Sequence, residues 1–125
     1  RSNHYCGLAY EAQTAYRQAI DCFEEIVAAL DGAWRYERFG QAALPAVVSR
    51  ANSAGCHAEL GMFAEGRALG EEGLRIAEAA AHPVSLMIAL WGMGLLALRQ
   101  GDLQRALPRL ERWVDALGRR GSPAL

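Results

Sequence analysis

The sequence predicts an all-α fold, and three observations carry that prediction. Alanine makes up about a fifth of the 125 residues, and leucine, glutamate and arginine, all good helix formers, are common beside it. Segments rich in valine, isoleucine and threonine, which would favour strands, are nearly absent. Apolar residues recur at helical spacing between glycine and proline punctuation. The chain is long enough for one domain with a real core.

The punctuation divides the chain into six expected helices. The first is an amphipathic segment over about residues 3–13. The second covers 15–30, with Tyr16, Ala19, Ile20, Phe23, Ile26, Val27 and Leu30 on one stripe, and Gly32 is placed to end it in a left-handed conformation. An aromatic, charged loop follows, AWRYERFGQAA. Pro45 suits the first turn of a third helix, running to about Glu59. Leu60-Gly61 breaks the chain before a fourth helix over about 63–81. Pro83 opens a fifth, running to Arg99. Asp102 is a good N-cap for a sixth, interrupted by Pro108 and ending near Leu117, before a frayed tail over 118–125.

The formal net charge of −1 gives no global pull toward nucleic acid or an anionic membrane. Every basic residue is arginine, the mark of a GC-rich, bacterial coding bias. Cys6, Cys22 and Cys56 are odd in number and form no CxxC, so the expectation is buried reduced thiols in a cytoplasmic protein. The longest apolar run, SLMIALWGMGLLAL, is expected to fall short of a membrane span. The chain does not open on methionine, so its first residues say nothing of targeting.

Six helices with short turns suggest hairpins and an internal repeat. Aligning Gly101 with Gly61 superimposes two hairpins at a period of 40 residues. Gly94, Ala97, Ala106, Leu110 and Trp113 then match Ala54, His57, Gly66, Gly70 and Gly73. Gly7, Tyr10, Ala19, Phe23 and Ile26 fall at the same places in the first hairpin. This pattern of small and large residues resembles the tetratricopeptide repeat, clearest in CGLAY with Ala19 and Phe23 and in GLLALRQGDLQRAL. Small residues are needed where helix axes approach to roughly 8–10 Å. The resemblance implies a right-handed superhelical stack of three antiparallel hairpins, over about 2–31, 45–81 and 83–117, in one domain spanning 1–117.

A narrower resemblance covers 34–117. RYERFGQAALPAVVSRANSAGCHAELGMFAEG, with AHPVSLMIAL after it, is similar to the helical-repeat region of large bacterial signalling regulators. Those proteins carry an AAA-type ATPase module with an adenylate-cyclase or LuxR-type DNA-binding domain. The matching residues are Phe39-Gly40, Pro45, Leu60-Gly61, His82-Pro83, Ser85-Leu86 and Ala89-Leu90. The resemblance implies a non-catalytic, cytoplasmic interaction module without cofactor, coupling neighbouring domains or binding a protein partner. This chain carries no GxxxxGK[ST] phosphate loop.

Gly66, Gly70 and Gly73 lie at i, i+4 and i+7 of the fourth helix, where each glycine costs up to about 1 kcal/mol relative to alanine. They make one smooth face, expected to be filled by a bulky neighbour, with Trp91, Met87 or Phe39 as candidates. Glu65, Arg67, Glu71, Glu72 and Arg75 on the same helix exclude a membrane GxxxG pairing.

Chemistry-bearing constellations are sparse. His57 is adjacent to Cys56, but neighbouring helix residues point about 100° apart, so the pair does not chelate, and a core histidine is expected. His4 and His82 lie in other segments and no HExxH occurs, so no metal or catalytic site is expected. Glu24-Glu25 and Glu71-Glu72 read as solvated pairs. Arg105, Arg109 and Arg112 form a stripe read as a solvated face rather than a nucleic-acid footprint. The strongest candidate is a concave, nearly apolar strip of Ile88, Trp91, Leu95 and Leu98 ending in Arg99. His4, Leu8 and Glu11 would be its equivalents in the first hairpin, and Ala51, Gly55 and Ala58 in the second. Three occupants stay open: the next repeat of a longer parent, a second copy in a homodimer, or a peptide or small ligand held near Trp91.

Overall fold

The computed structural model describes residues 15–30 and 32–121. Among them the regular structure is entirely helical, without strands: α1 (Tyr16–Ala29), a short 3-10 segment (Gly32–Tyr36), α2 (Pro45–Glu59), α3 (Phe63–Ala80), α4 (Pro83–Gln100) and α5 (Leu103–Gly121). The first expected helix, with His4, Cys6, Gly7, Leu8, Tyr10 and Glu11, lies outside the described residues.

Local chemistry sets most boundaries. Pro45 and Pro83 sit in the first turns of α2 and α4, where a missing N–H costs nothing. Gly32, Gly61 and Gly101 take positive φ between helices. Asp102 caps α5 by accepting from the Arg105 backbone N–H at 3.1 Å. Two expectations about α5 are corrected. Pro108 does not interrupt it, because a proline removes one backbone bond and α5 keeps its flanking turns and its packing on α4. The helix also continues through Gly118 to Gly121, where a frayed tail was expected.

Helices α2 and α3 form one antiparallel pair, and α4 and α5 another. Arg50 lies beside Gly73 while Ala54 and His57 lie beside Gly66. Leu110 lies on Gly94 and Trp113 on Trp91. Helix α4 packs on α2, α3 and α5, whereas α1 packs on α2. The main core joins Leu44, Val47, Leu74, Ile76, Ala77, Ala89 and Leu90, and a second cluster joins Ala19, Ile20, Phe23 and Ile26 of α1 to Cys56.

The glycine face of α3 is filled, but not by the expected residues. A Cβ on Gly70 would come within 2.1 Å of Met93 Sδ. A Cβ on Gly66 would lie 3.0 Å from the Ala54 carbonyl oxygen and 3.1 Å from Leu96 Cδ1. Gly73 faces Cβ of Arg50. Met93 and Leu96 thus take the place expected of Trp91, Met87 or Phe39. Trp91 instead meets Trp113, and Phe39 stacks on Trp34. The reason is register: Met93 and Leu96 point from α4 toward α3, and Trp91 points away.

Arg50 shows what the smooth face accommodates. It is 1% exposed, its Nε donates to Glu72 Oε1 at 2.6 Å and its Nη1 to the Ala46 carbonyl at 3.1 Å. Glu71-Glu72 is therefore no solvated pair. Both are half-buried, Glu72 on Arg50 and Glu71 on Arg109. Glu24 and Glu25 are exposed as expected.

A short polar relay ties the starts of α2 and α4. The buried Leu44 N–H donates to Ser85 Oγ at 2.9 Å, and Ser85 Oγ donates to His82 Nδ1 at 2.8 Å. His82 Nδ1 also accepts from the Ser85 N–H at the N-cap of α4.

Two predictions follow from these contacts. Gly66→Ala should lower unfolding free energy by about 1–2 kcal/mol, because the carbonyl it meets is fixed backbone. Gly73→Ala has room and should gain up to about 1 kcal/mol of helix propensity. Urea denaturation giving both variants the same sign would refute this account of the face. Ser85→Ala strands the buried Leu44 N–H and should cost about 1–3 kcal/mol, and an unchanged midpoint would remove the relay from the account.

Candidate functional site

Helix α4 is apolar nearly all round, a composition normal for a helix with neighbours on several sides. By length and composition it is long and apolar enough to cross a membrane, which corrects the expectation that its apolar run is too short. Here its sides are taken by α2, α3 and α5. Ser85, Ala89, Leu90, Met93, Gly94, Leu96 and Ala97 are its buried residues.

The rest of α4 carries the predicted strip. Trp91, Leu95 and Leu98 are 43%, 36% and 41% exposed. Ile88 is half-buried and Arg99 exposed. These five residues follow one another along α4 at i, i+3, i+7, i+10 and i+11, so the helix itself aligns them. Trp91 is held at its base by Trp113 of α5, with ring centroids 4.9 Å apart and planes tilted by 37°, an arrangement aromatic pairs favour. Trp113 in turn packs against the main core. Arg99 is anchored by an ion pair with Glu59.

The equivalents expected in the second hairpin do not continue the strip as an open surface. Ala58 is buried with Met93 and Leu96, and Ala51 is half-buried against the position of Gly92. Helix α4 itself covers them. Gly55 is exposed. His4, Leu8 and Glu11 lie outside the described residues. Of the residues expected at packing positions, Ala19, Phe23, Ala54, His57 and Ala106 are buried, as are Gly66, Gly70, Gly73 and Gly94, while Leu110 and Trp113 are half-buried.

Sequence reasoning missed a second apolar strip. Leu103, Leu107 and Val114 of α5 are 61%, 55% and 58% exposed. Their spacing, with Leu110 between them, was the available signal. It was masked by the arginines that alternate with them.

Those arginines serve a different surface. Arg105 pairs with its own cap Asp102, Arg109 with Glu71 and Arg112 with Glu78, so two of them bridge α5 to α3. With Arg67, Met93, Leu96 and Pro108 they line a cleft of about 520 Å³. The stripe is in part a cleft wall rather than simply a solvated face, and Arg67 closes one end by donating to Gln100. Trp91 is not among the lining residues.

His57 is buried and its Nδ1 donates to the Ser53 carbonyl at 2.7 Å, a bond that keeps it within its own helix. Cys22 and Cys56 are buried. Among the described residues no group of three or more His, Cys, Asp or Glu side chains is placed to hold a metal ion. Compared with known proteins, the chain matches no protein-family model, no curated protein and no solved structure.

The strip and its support should respond differently to mutation. Leu95→Glu or Leu98→Glu should change stability by no more than about 0.5 kcal/mol, as surface positions do. Trp113→Ala should cost about 2–3 kcal/mol through lost core packing. Chemical denaturation that ranked Leu98→Glu with Trp113→Ala would show the strip to be core.

Proposed function

We propose that this chain is a non-catalytic protein-interaction module, built as a right-handed stack of helical hairpins of the tetratricopeptide kind. Its place is in a larger bacterial cytoplasmic regulator, where it binds a protein partner or couples adjoining signalling domains. The observation that carries this reading is the strip of Trp91, Leu95 and Leu98, large apolar side chains held exposed on an otherwise packed helix. Soluble surfaces seldom gather such residues without a partner. Supporting it are the antiparallel pairing of α2 with α3 and α4 with α5, and the small residues at their crossings.

The strip is ordered before any partner arrives. Trp113 fixes Trp91 from beneath and Glu59 holds Arg99. A partner therefore loses little side-chain entropy in binding, and tryptophan and arginine are among the residues enriched in interface hot spots.

The test compares capture of proteins from bacterial extract by the native chain and by Trp91→Ala, after calorimetry shows both folded. The expected result is a defined set of polypeptides held by the native chain and reduced at least about tenfold by the variant. Equal capture by both would overturn the reading. Quenching of tryptophan emission by small metabolites, without protein capture, would favour a ligand-sensing domain instead.

A further inference from the structure

Independently of that reading, we infer that the cleft between α3, α4 and α5 is a binding site for a small amphipathic anion, a carboxylate with an aliphatic tail. The carboxylate sits at the Arg67 end and the tail lies along the floor.

Charge picks out the end. Arg67, Arg105, Arg109 and Arg112 line the cleft, and Glu71 is the one acidic residue in its lining. Arg109 is neutralised by Glu71, Arg112 by Glu78 and Arg105 by its cap Asp102. Arg67 differs. It is half-buried, its Nη2 donates to Gln100 Oε1, and among the described residues no carboxylate meets it. A cation bonded to a neutral amide leaves one positive charge without a counterpart. Arg105 stands near it, because Gln100 closes α4 and Arg105 lies in the first turn of α5. Only Nε of Arg105 engages the Asp102 carboxylate, at 3.3 Å. The remaining N–H groups of these two guanidinium groups are donors for an incoming carboxylate, which accepts in pairs.

The floor asks for hydrocarbon. Met93, Leu96 and Ala97 of α4 form it, and Pro108 of α5 completes it. A proline within a helix forfeits a backbone bond. Here its ring gives α5 an apolar surface on a wall otherwise made of arginines. The volume of about 520 Å³ lies within the usual range of small-molecule sites. At roughly 30 Å³ for each heavy atom it holds on the order of fifteen of them. An inorganic anion would leave the floor uncovered. A nucleic-acid backbone would bring more charges than the single one left unmatched. A cation would face four guanidinium groups.

The probe is decanoate, titrated into the full chain below its aggregation threshold and followed by isothermal calorimetry. The expected result is saturable one-to-one binding with a dissociation constant below about 1 mM. Decanol, with a neutral head, and hexanoate, with a short tail, should each bind at least about tenfold more weakly. Arg67→Gln should weaken decanoate at least about fivefold. Arg99→Gln removes the same charge outside the cleft and should change affinity by less than about twofold. Pro108→Ala should raise the melting temperature yet weaken decanoate at least about twofold, a pair of opposite effects that a merely structural proline would not give. Absence of a plateau, a plateau that survives Arg67→Gln, or decanol binding as tightly as decanoate overturns the site. Equal losses in Arg67→Gln and Arg99→Gln overturn it in favour of overall charge. Affinity unchanged by Pro108→Ala overturns the placement of the tail, and the proposal with it. Phosphatidylglycerol vesicles held through Arg67, without binding of free decanoate, overturn the free anion in favour of a lipid surface.

Discussion

The arrangement of these helices depends on one exclusion of volume, the absence of side chains along one face of α3. Helices with ordinary side chains pack at roughly 8–10 Å, and a third helix laid on such a pair meets both at once. At Gly66 the α2 backbone comes so near that a single methyl would touch the Ala54 carbonyl. At Gly70 the space left open admits Met93 from α4. Gly73 leaves room for the stem of Arg50, whose charge is then met by Glu72 of the same helix. The propensity lost by three glycines is returned as close packing on two neighbours, and α4 is positioned by it. The orientation of α4 in turn sends Met93 and Leu96 inward and Trp91 outward. The exposed strip is therefore a by-product of a glycine face one helix away.

Much of this was legible in the residues. Helix positions were readable from capping and punctuation, because Pro45, Pro83, Asp102 and Gly101 act locally. The smooth face and its role in packing were readable from the spacing of the glycines. What filled it was not, since Met93 and Trp91 are two residues apart and only the rotation of α4 decides which turns inward. Arg50 was silent for the same reason. A buried arginine looks like a surface one until its partner is placed, and Glu72 was correspondingly mistaken for a solvated residue. The strip on α4 was visible as an unbroken apolar run. The strip on α5 was hidden because Leu103, Leu107 and Val114 alternate with arginines that bond toward α3. Pro108 was overvalued as a breaker, since tertiary packing of the flanking turns outweighs one lost backbone bond.

Polar groups in this molecule act mainly as fasteners between helices two apart in the chain. Leu44, Ser85 and His82 join the beginnings of α2 and α4. Glu59 and Arg99 join their far ends. Glu71 with Arg109 and Glu78 with Arg112 link α3 to α5. The surface pairs are individually weak, each within about 1 kcal/mol, and screened by salt. Their use is in setting register, because apolar faces of alanine, leucine and glycine slide past one another at little cost. The buried relay at Ser85 is more demanding, as its donor and acceptor have no water to turn to.

The linear order of packing, in which α1 rests on α2 and α5 on α4 while α2, α3 and α4 share one core, has a kinetic consequence. Most contacts join neighbours along the chain, so little loop-closure entropy opposes their formation and folding from the centre outward is fast. The same order makes unfolding graded. Among the described helices, α1 and α5, each packed mainly on one neighbour, should open at a lower free energy than α2, α3 and α4, and amide exchange should rank them so. The surface that α5 shares with α4 is thus built on one of the more readily opened parts of the molecule. Any contact made on that surface would therefore raise the cost of an early step of unfolding as well as occupy a site.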